Sequence, residues 1–485
     1  MPSEPAGPLP LPSSSSRTVP LIVACALFME NLDATVISTA LPAIAKDLGE
    51  DPLHLSLAIT SYLLSLSIFI PLSGWLADRY GARAVFRNAI LIFVLGSVAC
   101  AAADDVGGLV AARMLQGLGG ALMVPVGRLV LLRQVPKAEL IAAMSFVTVP
   151  ALTAPIFGPP LGGLIVTYSS WEWIFLINVP IGVLGWILVT RYIRDTREEL
   201  RAPLDLAGWW VLGGAMAGLV FGLESLGKHV VSPGATYLSL SIGVLLLMLY
   251  VRHARTDDAP ILRLSLLRLQ SFRASVTGGS LFRIGLGGST LLLPMMLQLG
   301  YGLSPLHSGL LTFATAVGAL SMKIVAPGIT RRFGFRSILV YNTAICALGL
   351  MVCGWLSPTW PVGIALAVLL LTGFFRSLQF TCINALAFAD VPNPDMSQAT
   401  SFSSTAQQLA LSVGVGLSSQ VLNVSMALRG ATALSITDFT NAFCFMALVS
   451  LSAIFAFRQL GADAGNVVSG HRLVLAHGSS AKDVD

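Results

Sequence analysis

Charge is what this sequence has least of. Only 11% of its 485 residues are Asp, Glu, Lys or Arg, while 55% are hydrophobic. That balance excludes an ordinary water-soluble domain. Histidine and cysteine are also scarce, with six of each. His54, His229, His253, His307, His471 and His477 are scattered, and no cluster of His, Cys or carboxylates has catalytic or metal-ligand spacing. The chain is therefore read as neither an enzyme nor a metal protein, and no cofactor is expected. Cys25, Cys100, Cys346, Cys353, Cys382 and Cys444 all fall inside apolar runs and read as small apolar fillers. There is no phosphate-binding P-loop, so an ion gradient is the expected energy source. The N-terminal stretch is rich in Pro and Ser with a single Arg, unlike a cleaved signal peptide; the first apolar run is expected to serve as the targeting signal.

Long apolar runs are what the chain does have. A membrane-crossing helix takes about 20 mostly apolar residues. The sequence divides into fourteen such segments, from Val19–Leu41 to Phe439–Phe457. Ala235–Val251 is short and Phe402–Leu422 is rich in Ser and Gln, so twelve crossings is the competing count. The net charge of +5 does not indicate nucleic acid, because the basic residues are sorted by side. Only Lys46, Lys228 and Arg429 fall opposite the termini, while Arg113, Arg283, Lys323 and Arg376 lie within crossings. This is the positive-inside pattern, with both termini in the cytoplasm and the lipid bilayer as partner.

Against this background the charges inside the runs stand out. Leu21–Pro42 carries Glu30 and Asp33. A carboxylate at bilayer depth costs on the order of 3 kcal/mol by insertion scales, so it marks an ion or proton site by default. At three residues' spacing the two acids share one helix face. In the fourth run Arg113, Gln116, Gly117 and Gly120 recur at helical spacing. A packing face with a snorkelling Arg is the plain alternative. At 1.5 Å per residue Arg113 lies roughly 5–9 Å and Asp33 about 12 Å from the outer surface, so a charge pair is possible. Arg376, flanked by Phe374 and Phe375 with Gln379 nearby, is a candidate for the substrate cavity or for a structural hydrogen bond. Lys323 is expected to snorkel. Gln298, Asn384, Gln407 and Gln408 carry no discriminating signal.

Five strings add sharper information. GWLADRYGAR, Gly74 to Arg83, reads on charge alone as a tight basic turn, but its pattern resembles the signature GxLADRxGxR of the major facilitator superfamily. FGPPLGGL contains Gly158, Pro159, Pro160, Gly162 and Gly163. By itself it is a kinked, closely packed helix; it also resembles the antiporter pattern GxxxGPxxGG, with Ala154 at the leading glycine. The fourth-run RxxxGxG is similar to a motif associated with proton transfer. WEWIFLINVPIG and LDATVISTALP resemble segments of the fourteen-span drug/proton antiporter branch, with Glu172 where many members have Arg.

That resemblance implies an all-α integral membrane protein with the major facilitator fold: two six-helix halves plus two extra spans, 14 transmembrane helices. The expected organisation is a cytoplasmic segment 1–18, a first half 19–201, two inserted spans 202–260, a second half 261–460 and a flexible cytoplasmic tail 461–485. A basic stretch before the ninth span, around Arg252 to Arg273, is expected to form an interfacial helix. Depth in the bilayer marks Asp33 and Glu30 as the proton-coupling acids; the resemblance adds Arg113 to them and assigns a conformational latch to Gly74, Asp78, Arg79, Gly81 and Arg83. It assigns the antiporter motif to Gly158, Pro159, Gly162 and Gly163. Cavity candidates are Gln116, Arg283, Arg376 and Gln379. An internal repeat supports two halves: PGITRRFGFR repeats GWLADRYGAR, with Gly334 and Arg336 at the positions of Gly81 and Arg83 but Arg331 at that of Asp78. The same offset sets Arg283 opposite Glu30, so Arg283 is expected to pair with an inner acid in one state or else to have a local polar partner.

The implied function is export of amphiphilic or cationic small molecules in exchange for protons, across a bacterial cytoplasmic membrane and by a monomer. Proton-coupled transport of a metabolite such as an amino acid, sugar or siderophore is the alternative.

Overall fold

Lipid offers no hydrogen bonds, so a chain built of apolar runs must satisfy its backbone within each run, and helices do this. In the computed structural model, which describes residues 14–50, 52–136, 139–195, 203–226, 231–303, 305–357, 359–431 and 433–469, helices are the only regular elements. They are α1 Ser14–Leu48, α2 Pro52–Phe69, α3 Ser73–Tyr80, α4 Ala82–Ala101, α5 Val106–Gln134, α6 Leu140–Tyr168, α7 Trp173–Leu176 and α8 Asn178–Tyr192. After them come α9 Leu206–Ser225, α10 Pro233–Thr256, α11 Gln270–Met295, α12 Pro305–Gly354, α13 Val362–Ala387, α14 Met396–Leu428, α15 Ile436–Arg458 and the short α16 Asn466–Ser469.

Among the described residues, twelve stretches are long and apolar enough to cross a membrane, against the fourteen expected. One of the twelve covers His307–Gly354 within α12, and α6 is not among them. α12 is continuous in its bonding but turns at Gly334, whose φ of 69° and ψ of 164° are not helical. Gly81, its counterpart in the repeat, separates α3 from α4 with φ 89°. Arg83 donates to the carbonyl of Thr190 near the end of α8, and Arg336 donates to that of Arg458 at the end of α15. The two turns are thus built alike.

The apolar cores define the shape. At the end of the molecule that holds the start of α1 and the end of α15, one core joins early and late helices, including Val23, Phe86 and Val130 with Phe335, Leu386 and Phe457. At the other end there are two separate cores. One gathers Leu32, Val36, Leu109 and Phe175; the other gathers Leu292, Leu369, Phe439 and Phe443. No apolar cluster of described residues bridges them there. Among the described residues, a single apolar core seals the terminal end, whereas the far end holds two separate ones.

α9 and α10 pack against each other and, through α9, against both α2 and α14. Trp209 donates to the carbonyl of Ile68 at 3.0 Å. Asp205 ties the pair down: it caps α9 through the amide of Gly208, meets His253 of α10 at 2.9 Å and accepts from the amide of Ile261. The basic stretch before α11 differs from expectation. α10 runs on to Thr256, residues 257–263 are irregular, and only a short turn, Leu264–Arg268, precedes α11. Tyr250 pins this stretch by accepting from the amide of Leu262 at 2.9 Å, and Arg263 pairs with Asp395 at 2.9 Å. Such fixed polar contacts replace the interfacial helix. Residues 461–469, expected to belong to a flexible tail, also pack, with Val468 buried in the terminal-end core.

A side chain at Gly334 would be forced into a backbone region that essentially only glycine occupies, at a cost of about 1–3 kcal/mol. Gly334→Ala is expected to lower the melting temperature of the purified protein by several degrees while leaving helix content by circular dichroism unchanged.

Candidate functional site

The middle of α1 brings Asp33 against α4, α5 and α8. Its carboxylate meets Arg113 Nη1 at 2.6 Å. The other oxygen accepts from Gln116 Nε2 at 2.8 Å and from Asn178 Nδ2 at 2.9 Å. Gln116 accepts from Arg113 at 2.6 Å and donates to Ser97 at 2.7 Å. The Arg113 guanidinium lies 4.3 Å from the centre of the Tyr62 ring, a cation–π contact. Asp33 is 3% exposed, and Arg113, Gln116 and Asn178 are fully buried. A buried ion pair offsets its desolvation only when its remaining lone pairs and protons are also bonded. Ser97, Gln116 and Asn178 meet that requirement here.

Glu30, one turn earlier on α1, stays outside this network. It is 8% exposed, and its Oε2 is buried without a hydrogen-bond partner. Tyr62 Oη is likewise buried without one, and both side chains abut Gly120. Unpartnered buried polar atoms are rare in native proteins and call for a physical reason.

The turn between α2 and α4 is held to α14. Asp78 is 3.1 Å from Arg133 of α5 and accepts from the hydroxyl of Ser397 at the start of α14. A Cβ at Gly74 would lie 2.8 Å from the Ser397 carbonyl oxygen, so only glycine allows this approach. Ser401 donates to the carbonyls of Ile70 and Pro71. Arg79 is exposed and forms no bond to a described residue.

α6 stays helical through Pro159 and Pro160 and packs along α1. A Cβ at Gly158 would lie 2.2 Å from Thr35 Oγ1, two residues beyond Asp33. Gly162 is buried, and Gly163 faces open space. The side chain of Pro159 lies outside the described ones.

The remaining candidates divide by surroundings. Arg283 bonds Asn384 at 2.9 Å and lies over Phe380, so in this conformation it has a local partner and not an inner acid. Gln379 is consumed by Asn342, Thr343 and the carbonyl of Leu339. Arg376 lines a cavity of about 30 Å³ with Phe282, Leu286, Leu350 and Phe443, and its Nε has no partner. Lys323 does not snorkel; it turns inward to donate to Thr381 at 2.7 Å.

Residues 23–415 match the Major Facilitator Superfamily. The chain belongs to that superfamily.

This major facilitator protein is 39% identical over 441 residues to the "Putative multidrug resistance protein MdtD" of Escherichia coli O157:H7, covering 89% of this chain and 91% of the relative. The protein of the same name from Escherichia fergusonii is 38% identical over 460 residues, covering 93% and 96%. Two solved structures share the fold. The human organic anion transporter MFSD10 superposes with a TM-score of 0.66 at 16% identity, covering 91% of this chain and 99% of that one. A double-tryptophan mutant of XylE gives 0.67 at 15% identity, covering 94% and 99%. It is accordingly a multi-pass membrane transporter and not an enzyme.

Sequence reasoning brought Asp33 and Arg113 together by depth but did not single out Ser97, Tyr62 or Asn178. Asn178 sits inside the WEWIFLINVPIG string, so it had a signal in the motifs. Ser97 and Tyr62 had none.

Breaking one side of a buried pair costs about 3–5 kcal/mol, whereas replacing both members with apolar groups is often neutral. Arg113→Leu is therefore expected to lower the melting temperature strongly, and adding Asp33→Leu is expected to recover much of the loss. Additive losses in this double-mutant cycle would show that the pair is not energetically coupled.

Proposed function

We propose that this transporter exports small molecules in exchange for protons, with fourteen crossings in a bacterial cytoplasmic membrane and both termini in the cytoplasm. The fourteen-crossing reading rests on two features. The stretch from His307 to Gly354 holds 48 residues, enough for two crossings divided at Gly334. α6 supplies another, with 29 residues and no charge among them.

The observation that carries proton coupling is the contrast between two acids one turn apart. Asp33 is fully bonded as an ion, while Glu30 is buried without a partner. Burying an isolated charge is far more costly than burying a neutral acid, so Glu30 is assigned the bound proton in this conformation. Asp33 is assigned the same role in the opposite conformation, when movement of α5 against α1 draws Arg113 away. An ion pair that opens is a proton acceptor that closes again on release.

Alternating access supplies that movement. With the terminal end cytoplasmic, the sealed core describes an outward-facing state. Gly74, Asp78, Gly81 and Arg83 act as its latch, since Asp78 holds α5 and α14 at once. Gly158 and Thr35 couple α6 to α1 beside Asp33, which fits an antiporter motif that transmits protonation to helix position. Export is further supported by the multidrug resistance name borne by relatives at 38–39% identity.

Everted vesicles holding a pH gradient test this reading. Cationic and anionic dyes added one at a time are expected to trigger proton release from wild-type vesicles. Asp33→Asn and Glu30→Gln are each expected to reduce that release at least tenfold at equal protein content. Substrate movement that persists in Asp33→Asn with undiminished proton release would sink proton coupling through this site.

A further inference from the structure

The two copies of the repeated turn differ in what fills the space beside them. In the first copy Arg87 of α4 reaches α8, its guanidinium carbon 5.6 Å from the centre of the Trp186 ring. The position matching Arg87 in the second copy is Val340, too short for such a reach. There a half-open cavity of about 450 Å³ remains between α12 beyond Gly334 and the end of α15. Arg336, Ser337, Val340 and Tyr341 line it with Phe333 and Arg458.

The cavity is cationic with aromatic walls. It has two arginines and no carboxylate. Arg336 donates to the Arg458 carbonyl at 3.4 Å, and neither guanidinium pairs with an acid among the described residues. Phe333 is 51% exposed and Tyr341 72%, and Arg332 adds a cation over Phe333, 5.4 Å from the ring centre. Away from the cavity both helices present exposed apolar stripes at helical spacing. These are Tyr341, Ile345 and Leu348 on α12, and Phe455, Leu451 and Leu448 on α15. Stripes of this kind mark surfaces that meet a membrane. With Gly334 dividing two crossings, Arg336 and Arg458 stand where apolar chain gives way to headgroups, and Tyr341 takes the place of an interfacial aromatic.

We propose that this cavity binds the phosphate headgroup of an anionic phospholipid, whose chains lie along the α12 and α15 stripes. Guanidinium donors match phosphate oxygens in pairs, and basic pockets between membrane helices at the surface hold such headgroups. A soluble phosphate would meet the same arginines but leave the aromatic walls and the stripes uncovered. The lipid occupies the place that Arg87 and Trp186 fill in the first half, and so ties α12 to α15 at the sealed end. Its depth rests on the crossing reading above.

The test is thermal unfolding of the full chain in phosphatidylcholine nanodiscs with and without phosphatidylglycerol, for wild type, Arg336→Gln, Arg458→Gln and Arg191→Gln. Phosphatidylglycerol is expected to raise the wild-type melting temperature by a few degrees. Arg458→Gln is expected to lose most of that rise yet melt like wild type in phosphatidylcholine alone, since only its carbonyl serves the Arg336 contact. Arg336→Gln is expected to lose the rise as well, and native mass spectrometry to count one phosphatidylglycerol fewer on either variant. Arg191, exposed at the end of α8 and outside the cavity, is the charge control, and its variant is expected to keep the rise. No rise in wild type, a rise that survives in both cavity variants, or an equal loss in Arg191→Gln overturns the proposal. So does an equal rise with inorganic phosphate, or a lipid-dependent rise that appears only once residues 470–485 are removed, which would assign the cavity to that segment. Labelling of Arg331→Cys by a membrane-impermeant maleimide in phosphatidylcholine alone reads the crossing assignment separately. Labelling without a lipid-dependent rise fails the site and keeps that assignment; the rise without labelling does the reverse.

Discussion

A charge moved from water into the interior must find its opposite or a dense set of dipoles, and Asp33 finds both. Arg113 supplies the counter-charge, and Gln116 and Asn178 fill the lone pairs that the guanidinium leaves. The four residues come from α1, α5 and α8, with Ser97 of α4 closing the ring. One polar network therefore fixes how four helices sit against each other in a region where apolar packing alone would permit sliding. Glu30 is left outside that network, its Oε2 buried without a partner. An occupied acid next to a vacant one is the arrangement on which the functional reading depends.

The repeat is mechanically symmetric and chemically asymmetric. Gly81 and Gly334 make matching turns, and Arg83 and Arg336 brace them against the ends of α8 and α15. Only the first copy has an acid and a small residue where the partner helix arrives, at Asp78 and Gly74. The second has Arg331 and Pro327 at those positions. The first turn grips α14 through Asp78 and Gly74. The charges follow a similar division, with both inner acids on α1 and most unmatched cations on the later helices.

Much of the fold was legible because lipid removes alternatives: an apolar run of the right length has helix as its low-energy form. Chain order and the Asp33–Arg113 encounter could be read from run lengths and depth. The partners of a buried polar group could not, since Asn178 and Ser97 reach Asp33 and Gln116 only after α4 and α8 have packed. Charge patterning misled where a local bond outweighed exposure. Lys323 was expected at the interface but finds Thr381, and the basic residues before α11 were expected on a helix but follow the contacts of Tyr250 and Asp395.

The position of α9 and α10 has a consequence for the surrounding bilayer. Early and late helices meet along two seams, α2 with α14 and α6 with α12 and α13. α9 lies over the one between α2 and α14. Over the other, where α6 meets α12 and α13, lies no described spanning helix. Among the described residues, one seam is thus backed by an extra helix pair and the other is not. A solute dissolved in the membrane meets a left and a right that differ, although the repeat inside is nearly two-fold.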